Sequence, residues 1–424
     1  MLDGTKELGT PTEISESRTT NQSSISDVLR ASVGEYKYHV LRRSGLPRPS
    51  TNITSHQLSS ISISTNAIPT QRSITMAPEN KAAFITGVNK PLEIRETPYT
   101  QPTDHELVIR THAAALNPID VAFYSMGPLF PWVSYPLIAG FDVAGEIVEV
   151  GPSVTRFKPG DRVVGLAGGA ARQPNMYLPQ SGFQLYTVMR EAVTAPIPDN
   201  ISFIDASVIP LALSTVASGM FAKDYLAMRH PQCPPVQADG EKEVLLVWGG
   251  SSSLGCNAIQ VAVAAGYEVV TTCSPHNFEL VKSLGASKVF DYKSETIVED
   301  LVAALDGRKT IGALAVTRGS VQPCAAVIAK TNSRKFVASC VPLTPEEEKI
   351  GDVECKFIWG GALEGNEVGP AIYEHYLPRA MAEGAFVPAP QAKVVGKGLE
   401  AFEEALKTLQ QGVSATKVVV DLSD

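Results

Sequence analysis

The chain has 424 residues, 44% of them hydrophobic, which is enough to bury two cores, so we expect two domains. Its net charge of −8, with scattered Lys and Arg, argues against a nucleic-acid surface, and no apolar run reaches the roughly 18 to 20 residues of a membrane span. Six cysteines without C-x-x-C spacing predict neither a disulfide framework nor a zinc knuckle, and they favour a reducing, cytoplasmic location.

Residues 1–75 are rich in Ser and Thr and carry no sustained helix or strand pattern, so we expect them to be disordered. Their early acidic residues and the lack of an apolar core argue against a transit peptide or a secretory signal. The pattern of a folded enzyme begins at Met76. The extension is either a real but dispensable segment or the product of a gene start placed too far upstream, and the sequence leaves both alternatives open.

Residues 76–209 alternate short strand patterns with Gly and Pro turns. Glu106–Thr111, Val143–Val150 and Arg162–Gly165 are examples. The pattern predicts a β-rich domain with a barrel-like arrangement.

Residues 210–370 change to a strand, helix, strand rhythm, which predicts a parallel α/β domain. In residues 371–424, the amphipathic run Gly398–Gln410 and the apolar strand Lys417–Leu422 are expected to return to the first domain. The α/β domain is then an insertion, and the active cleft is expected between the two domains.

A glycine- and serine-rich turn joins the apolar strand Val244–Trp248 to the helix pattern Asn257–Ala265. The free N–H groups and the positive dipole end at the start of such a helix can hold a pyrophosphate. Compared with G-x-G-x-x-G, the chain keeps Gly250 and Gly255 and has Ser252 in the middle position. The pattern predicts a dinucleotide site, although an α/β domain that binds nothing would also fit it.

The next strand, Glu268–Cys273, ends at the point where an Asp or Glu would bind the ribose hydroxyls of NAD and repel a 2′-phosphate. Neither residue is present there. Ser274, His276, Asn277 and Lys282 follow instead, so we predict NADP(H) as the cofactor. A cap of the following helix by Ser274 or Asn277 is the alternative, and both roles are compatible.

Four segments, in order, resemble the medium-chain dehydrogenase/reductase superfamily. They are Leu137–Val150 (L-I-A-G-F-D-V-A-G-E-I-V-E-V), Lys158–Gly165 (K-P-G-D-R-V-V-G), Trp248–Gly255 (W-G-G-S-S-S-L-G) and Lys282–Tyr292 (K-S-L-G-A-S-K-V-F-D-Y). The chain from Met76 onward is most similar to the zinc-independent fungal branch with trans-acting enoyl reductases, often labelled zinc-binding alcohol dehydrogenases. The resemblance implies an α/β fold, with a Rossmann dinucleotide-binding domain inserted in a GroES-like catalytic domain.

Zinc alcohol dehydrogenases have a cysteine ligand where this chain has the N-P-I-D loop, residues 117–120, and a histidine where it has G-F-D, residues 140–142. The four-cysteine lobe of the structural zinc is also missing. The resemblance therefore implies a site without metal. Asp120, His105 and His112 remain as conceivable ligands, and the alternative is a turn aspartate with two surface histidines.

The resemblance also implies roles for single residues. The implied catalytic residues are Asn117, Asp120 and Thr215, and Tyr124 is a candidate proton donor. The implied cofactor contacts are Pro118 and Ile119 at the nicotinamide; Gly249, Gly250, Ser251, Ser252, Ser253, Leu254 and Gly255 at the pyrophosphate; Ser274, His276 and Asn277 at the adenosine phosphate; Tyr292 at the adenine; and Ser339, Cys340, Gly412 and Val413 around the nicotinamide.

Three of these roles have alternatives. Asn117 and Asp120 could simply pin a turn, and Tyr292 could belong to the core. Tyr124 does not align with the tyrosine used by mitochondrial enoyl reductases, so a bound water is an equal candidate for the proton donor.

Without a metal, the chemistry that fits is hydride delivery from NADPH to an activated C=C bond or a quinone. We expect an enoyl reductase of polyketide or other secondary-metabolite biosynthesis, a monomer or homodimer acting on a small-molecule or acyl-thioester substrate, alone or with a polyketide synthase. A quinone or enone reductase of broad specificity and an NADP-binding regulatory protein without turnover are the alternatives. Met126–Trp132, Met220–Phe221 and Phe357–Trp359 would furnish an apolar cleft, or else belong to the core or a subunit contact.

Overall fold

The structure is a computed structural model that describes residues 78–237, 240–363 and 365–424; the predicted extension, residues 1–75, lies outside them. In chain order, the strands are β1 (Asn80–Ile85), β2 (Glu93–Thr97), β3 (Glu106–Ala115), β4 (Leu137–Ile138), β5 (Asp142–Val150), β6 (Arg162–Leu166), β7 (Tyr186–Arg190), β8 (Thr194–Pro196), β9 (Val244–Trp248), β10 (Glu268–Cys273), β11 (Lys288–Asp291), β12 (Thr310–Ala315), β13 (Phe336–Ser339), β14 (Lys349–Ile350), β15 (Val353–Phe357), β16 (Gln391–Lys397) and β17 (Thr416–Asp421).

The helices complete the inventory. The α-helices are α1 (Pro118–Ser125), α2 (Phe203–Ala206), α3 (Pro210–Phe221), α4 (Ser253–Ala264), α5 (Phe278–Ser283), α6 (Ile297–Leu305), α7 (Val321–Lys330), α8 (Val368–Pro370), α9 (Leu377–Ala382) and α10 (Ala401–Gln411). The 3₁₀ turns are Gly169–Ala171, Leu178–Gln180, Glu191–Val193, Pro275–Asn277 and Gly360–Leu363, and Ala371–Tyr376 is a π-helical segment.

The catalytic part is built on a sheet with the strand order β16-β17-β3-β5-β6-β8, and β7 also pairs with β3. Its pairs are antiparallel except β16 with β17. A small sheet, β2-β1-β4, accompanies it. Strands β16 and β17 come from the end of the chain and join this sheet through β3.

The second large sheet has the order β11-β10-β9-β12-β13-β15-β14 and is parallel except for the β14 edge. All five residues of β9 are buried, as expected for a strand covered on both faces. The chain runs from β9 to β10 on one side and later crosses to β12 on the other, so the order reverses beside β9. A dinucleotide is expected at the carboxyl ends of the strands at such a reversal. The Rossmann architecture is confirmed, whereas the boundaries 76–209, 210–370 and 371–424 stay predictions.

One described segment, Phe203–Phe221, is long and apolar enough to cross a membrane, and most of it is buried inside the protein. The expectation that no apolar run reaches this length is therefore wrong. The physical reason is that α3, within this segment, packs against α4 of the Rossmann part and against β5 and β6 of the catalytic sheet. An apolar surface on all sides is what such a helix between two layers requires.

Candidate active site

The turn after β9 is shaped by its glycines and by one serine. Gly249 has a φ of 101°, a left-handed conformation that favours glycine. Ser252 is the N-cap of α4: its Oγ accepts a hydrogen bond from the Gly255 N–H at 3.1 Å and donates to the Gly249 carbonyl at 2.8 Å. The serine in the middle position of the motif therefore begins the helix and holds the turn.

The turn leaves no room for side chains at its other glycines. A Cβ at Gly255 would lie 2.3 Å from the Gly249 carbonyl oxygen, and one at Gly250 would lie 2.3 Å from Thr271 Oγ1. Helix α4 thus begins directly against the strand ends, with its first N–H groups at the turn. This cradle fits a pyrophosphate, because a helix start combines free donors with a positive dipole end.

A cluster of donors lies beside this turn. Asn277 Nδ2 donates to Ser251 Oγ at 3.3 Å and to Ser414 Oγ at 3.2 Å, and His276 Nε2 lies 3.1 Å from Ser414 Oγ. Ser274 directly follows β10 and is the N-cap of the 3₁₀ turn Pro275–Asn277. The hydrogen-bonded set contains hydroxyl, amide and imidazole groups and no carboxylate, which suits a phosphate.

Ser414 was missed by the sequence analysis, although its neighbours Gly412 and Val413 were predicted. It joins the catalytic tail to the Rossmann part by the contacts above. Val413 is exposed, and Gly412 has a φ of 91° at the end of α10. The available signal was the glycine that ends α10, because Ser414 follows it by two residues in the turn after the helix.

Two further residues, Tyr292 and Lys282, were predicted to lie near the adenosine part of the cofactor. Tyr292 is 41% exposed, so the alternative that it belongs to the core is wrong. Lys282 Nζ pairs with Glu279 Oε1 at 2.9 Å on the surface of α5, which turns its ammonium toward its own helix.

The predicted N-P-I-D loop forms the start of α1, with Asn117 as the N-cap and Pro118–Asp120 in the first turn, and its two polar residues hold it. Asp120 accepts from the backbone N–H of Asn117 at 2.8 Å and of Gly140 at 2.9 Å, while Pro118 is exposed and Ile119 is partly exposed. Burial raises the pKa of Asp120 to about 7, and the two backbone hydrogen bonds act in the opposite direction. The contacts of Asp120 are those of a residue that fixes the loop, and its catalytic role stays a prediction.

Asn117 belongs to a buried charged group that sequence reasoning did not find. Lys417 Nζ lies 2.6 Å from Asn117 Oδ1 and 2.8 Å from Asp142 Oδ2, and Asn117 Nδ2 donates to Asp142 Oδ2 at 2.9 Å. Asp142 Oδ1 accepts from the Leu211 N–H at 2.5 Å, in the first turn of α3. Lys417 is 4% exposed and Asp142 is fully buried, so the pair is held in a region of low dielectric.

Helix α3 places Thr215 next to the 3₁₀ turn Gly360–Leu363. The Thr215 hydroxyl donates to the Leu211 carbonyl at 2.7 Å, and a Cβ at Gly360 would lie 2.4 Å from Thr215 Oγ1. On the neighbouring position, Ser214 Oγ and Tyr373 Oη share a 2.7 Å hydrogen bond. The start and the middle of α3 are therefore both fixed by buried polar contacts.

The remaining residues predicted for the site differ in their burial. Ser339 is buried, and its hydroxyl donates to the Val341 carbonyl at 2.7 Å, while burial raises the pKa of the Cys340 thiol. Tyr124 is 5% exposed in α1, which packs against α10. Tyr124 as proton donor stays a prediction.

Part of the predicted apolar cleft is brought together across the two domains. Phe130 stacks on Trp132 with ring centroids 5.1 Å apart and meets the edge of Trp359, also at 5.1 Å. A cavity of about 310 Å³ adjoins Trp132 and Pro131. Met220 and Phe221 do not join them, because they are buried in the core.

Comparisons with known proteins agree with this geometry. Residues 103–199 match the family described as alcohol dehydrogenase GroES-like domain. Dehydrogenase azaJ of Aspergillus niger is 48% identical over 354 residues, covering 81% of this chain and 99% of that protein. The chain belongs to the medium-chain dehydrogenase/reductase superfamily. Its resemblance to that superfamily is confirmed.

Other members of the superfamily extend the comparison. Trans-enoyl reductase himH of Aspergillus japonicus is 36% identical over 320 residues, covering 75% of this chain and 90% of that protein. The crystal structure of CurK enoyl reductase has a TM-score of 0.63 and 21% identity, covering 82% of this chain and all of that one, and it shares the fold. As a medium-chain dehydrogenase/reductase, the chain is an oxidoreductase with a nicotinamide-cofactor site.

Zinc members of this superfamily supply ligands from the loops that here contain Asn117 and Asp142. In this chain both side chains are engaged with the Lys417 ammonium. His112 stacks on Phe203 and His105 is largely exposed, and the described residues contain no group of three or more His, Cys, Asp or Glu side chains able to hold a metal ion. The side chains around Asn117 do not fit a metal ion. The Lys417 ammonium already lies against Asn117 Oδ1, which is the atom that would have to bind the metal.

Proposed function

We propose that this medium-chain dehydrogenase/reductase is a zinc-independent, NADPH-dependent enoyl reductase that delivers hydride to an activated C=C bond in polyketide or other secondary-metabolite biosynthesis. The observation that carries the cofactor choice is the cluster of Ser251, His276, Asn277 and Ser414, which offers donors and no carboxylate. A 2′-phosphate needs such donors, whereas the ribose hydroxyls of NAD need an acceptor.

The residues of the site have separate roles in the proposed reaction. NADPH supplies the hydride when it is bound. The turn Gly249–Gly255 and the cluster around Ser414 would hold its phosphates, and the N-P-I-D loop and Thr215 would adjoin its nicotinamide. An enoyl carbonyl activates its own double bond, so the protein's task is orientation and water exclusion.

The substrate class is supported by two observations. Trans-enoyl reductase himH is 36% identical to the chain, and the aromatic residues Phe130, Trp132 and Trp359 meet where the two domains face each other. Stacked and edge-on aromatic rings suit a conjugated acyl group. We propose an α,β-unsaturated acyl thioester or a related small molecule as the substrate, and a polyketide synthase as the source of it, in the cytoplasm.

The test is NADPH oxidation by the full-length, metal-stripped protein with enoyl thioesters, simple enones and quinones, with NADH in parallel. We expect turnover without metal, a preference for NADPH and the highest kcat/KM with an enoyl thioester. The highest kcat/KM with quinones would instead favour a quinone reductase. Activity that needs added zinc would contradict the proposal, and stoichiometric NADPH binding without reduction of any acceptor would indicate a protein that binds the cofactor without turnover.

A further inference from the structure

The buried group around Lys417 connects four separate parts of the chain. Lys417 lies on β17, Asn117 at the start of α1 and Asp142 at the start of β5, and Asp142 reaches the Leu211 N–H on α3. Each of the three side chains is at most 5% exposed. These contacts lie at the junction between the N-P-I-D loop and the helix that carries Thr215.

Lys417 and Asp142 fix the orientation of the Asn117 amide. The ammonium can only donate and the carboxylate can only accept, so Asn117 Oδ1 must face Lys417 and Nδ2 must face Asp142. A turned amide would place its NH₂ group against the ammonium. The backbone of the loop follows, because the Asn117 N–H is bound by Asp120 in the same loop.

The same carboxylate fixes the start of α3. Asp142 Oδ1 accepts from Leu211 at the N-terminus of the helix, where a negative charge is also favoured by the helix dipole. Tyr373 Oη donates to the Pro210 carbonyl at 3.1 Å and contacts Ser214, so the π-helical segment secures the other side of that turn. One charged pair thus sets the loop and the helix relative to each other.

We propose that Lys417 is a positioning residue that aligns the N-P-I-D loop with Thr215, and so sets the two sides of the nicotinamide pocket. The assignment rests on the proposed function. A misplacement of about 1 Å in a reacting site is able to cost about 100-fold in rate. Loss of the alignment should therefore lower kcat even where the protein remains folded and binds NADPH at the distant turn.

The experiment separates alignment from stability with two variants. Lys417→Met alone leaves the Asp142 charge buried and unpaired, which destabilises the fold for a reason unrelated to the alignment of the site. Lys417→Met combined with Asp142→Asn removes both charges. The amide introduced at position 142 is still able to accept from Leu211 and to donate to a turned Asn117 amide, so stability should recover while the Asn117 orientation does not.

We expect the double variant to melt within a few degrees of the wild type and to keep its Kd for NADPH. Its kcat should fall tenfold or more, and the primary isotope effect with NADPH deuterated at the transferred position should rise, because hydride transfer becomes slower. Wild-type kcat and isotope effect in a folded double variant would overturn the assignment.

A third variant keeps the test decisive if the double variant does not fold. Asn117→Ala leaves the Lys417–Asp142 pair intact and removes only the amide between them, so it should fold. We expect the same tenfold or larger fall in kcat, and wild-type kcat would again overturn the assignment. Failure of the proposed function would give a different result. In that case the wild type itself would oxidise NADPH with none of the acceptors.

Discussion

The two halves of the candidate site are built in opposite ways. The turn proposed for the pyrophosphate is held by contacts over three residues, from Ser252 Oγ to Gly249 and to Gly255, and the serines of the turn are partly exposed. The half proposed for the nicotinamide is held by Asn117, Asp142 and Lys417, of which the first and last are 300 residues apart, and it is buried. The first half relies on local backbone geometry, and the second on charges that are strong only because they are buried together.

The largest effect should come from breaking the buried half. Lys417→Met leaves the Asp142 carboxylate without its cation, and removing one partner of a buried pair costs about 3–5 kcal/mol of the free energy of unfolding. Urea unfolding followed by circular dichroism measures this change. Lys407→Met is the matched control, because the Lys407–Glu403 pair lies on the surface of α10 and should give little measurable change. Equal losses in both variants would contradict the contrast.

A cofactor swap should follow from a change in the local half. Ser274→Asp puts a carboxylate beside His276 and Asn277, where it should repel a 2′-phosphate and bind ribose hydroxyls. We expect the ratio of the NADPH and NADH dissociation constants to move toward NADH by at least about tenfold, or about 1.4 kcal/mol. Fluorescence titration of both cofactors measures it. Ser153→Asp adds the same charge on the exposed surface after β5, and a similar shift there would point to overall charge as the cause.

The smallest effect should distinguish two buried tyrosines of the π-helical segment. Tyr373→Phe removes a hydroxyl that is bound to Ser214 and Pro210, which should cost about 1 kcal/mol of stability. Tyr376 is equally buried, but its hydroxyl has no hydrogen-bond partner among the described residues. Tyr376→Phe should therefore be neutral or slightly stabilising. Thermal melts of the two variants side by side test this difference, and the reverse ranking would refute it.

The same contrast explains how far the sequence could predict the molecule. The strand and helix patterns near Val244, Glu268 and Gly398 were sufficient for the Rossmann sheet and for the return of the tail, because each pattern is a local periodicity. The glycine turn was predicted for the same reason. Its serine carries the signal of an N-cap, which depends on the next few residues only.

The sequence was silent on the contacts between distant segments. Nothing near Lys417 indicates that its ammonium meets Asn117, and the lysine alone is typical of a solvated strand end. Ser414 was missed because its partners, His276 and Asn277, are 138 and 137 residues away. The apolar length of Phe203–Phe221 was also misjudged. A short irregular turn divides this segment into α2 and α3, and the core buries both sides of the segment.

The most direct test of the central claim is the fate of the hydride. The full-length protein is supplied with an α,β-unsaturated acyl thioester and NADPH deuterated at the transferred position, and the product is analysed by mass spectrometry and NMR. We predict a saturated thioester with one deuterium, located on the β-carbon. A product that is reduced at the carbonyl, or a saturated product without deuterium on that carbon, would contradict it.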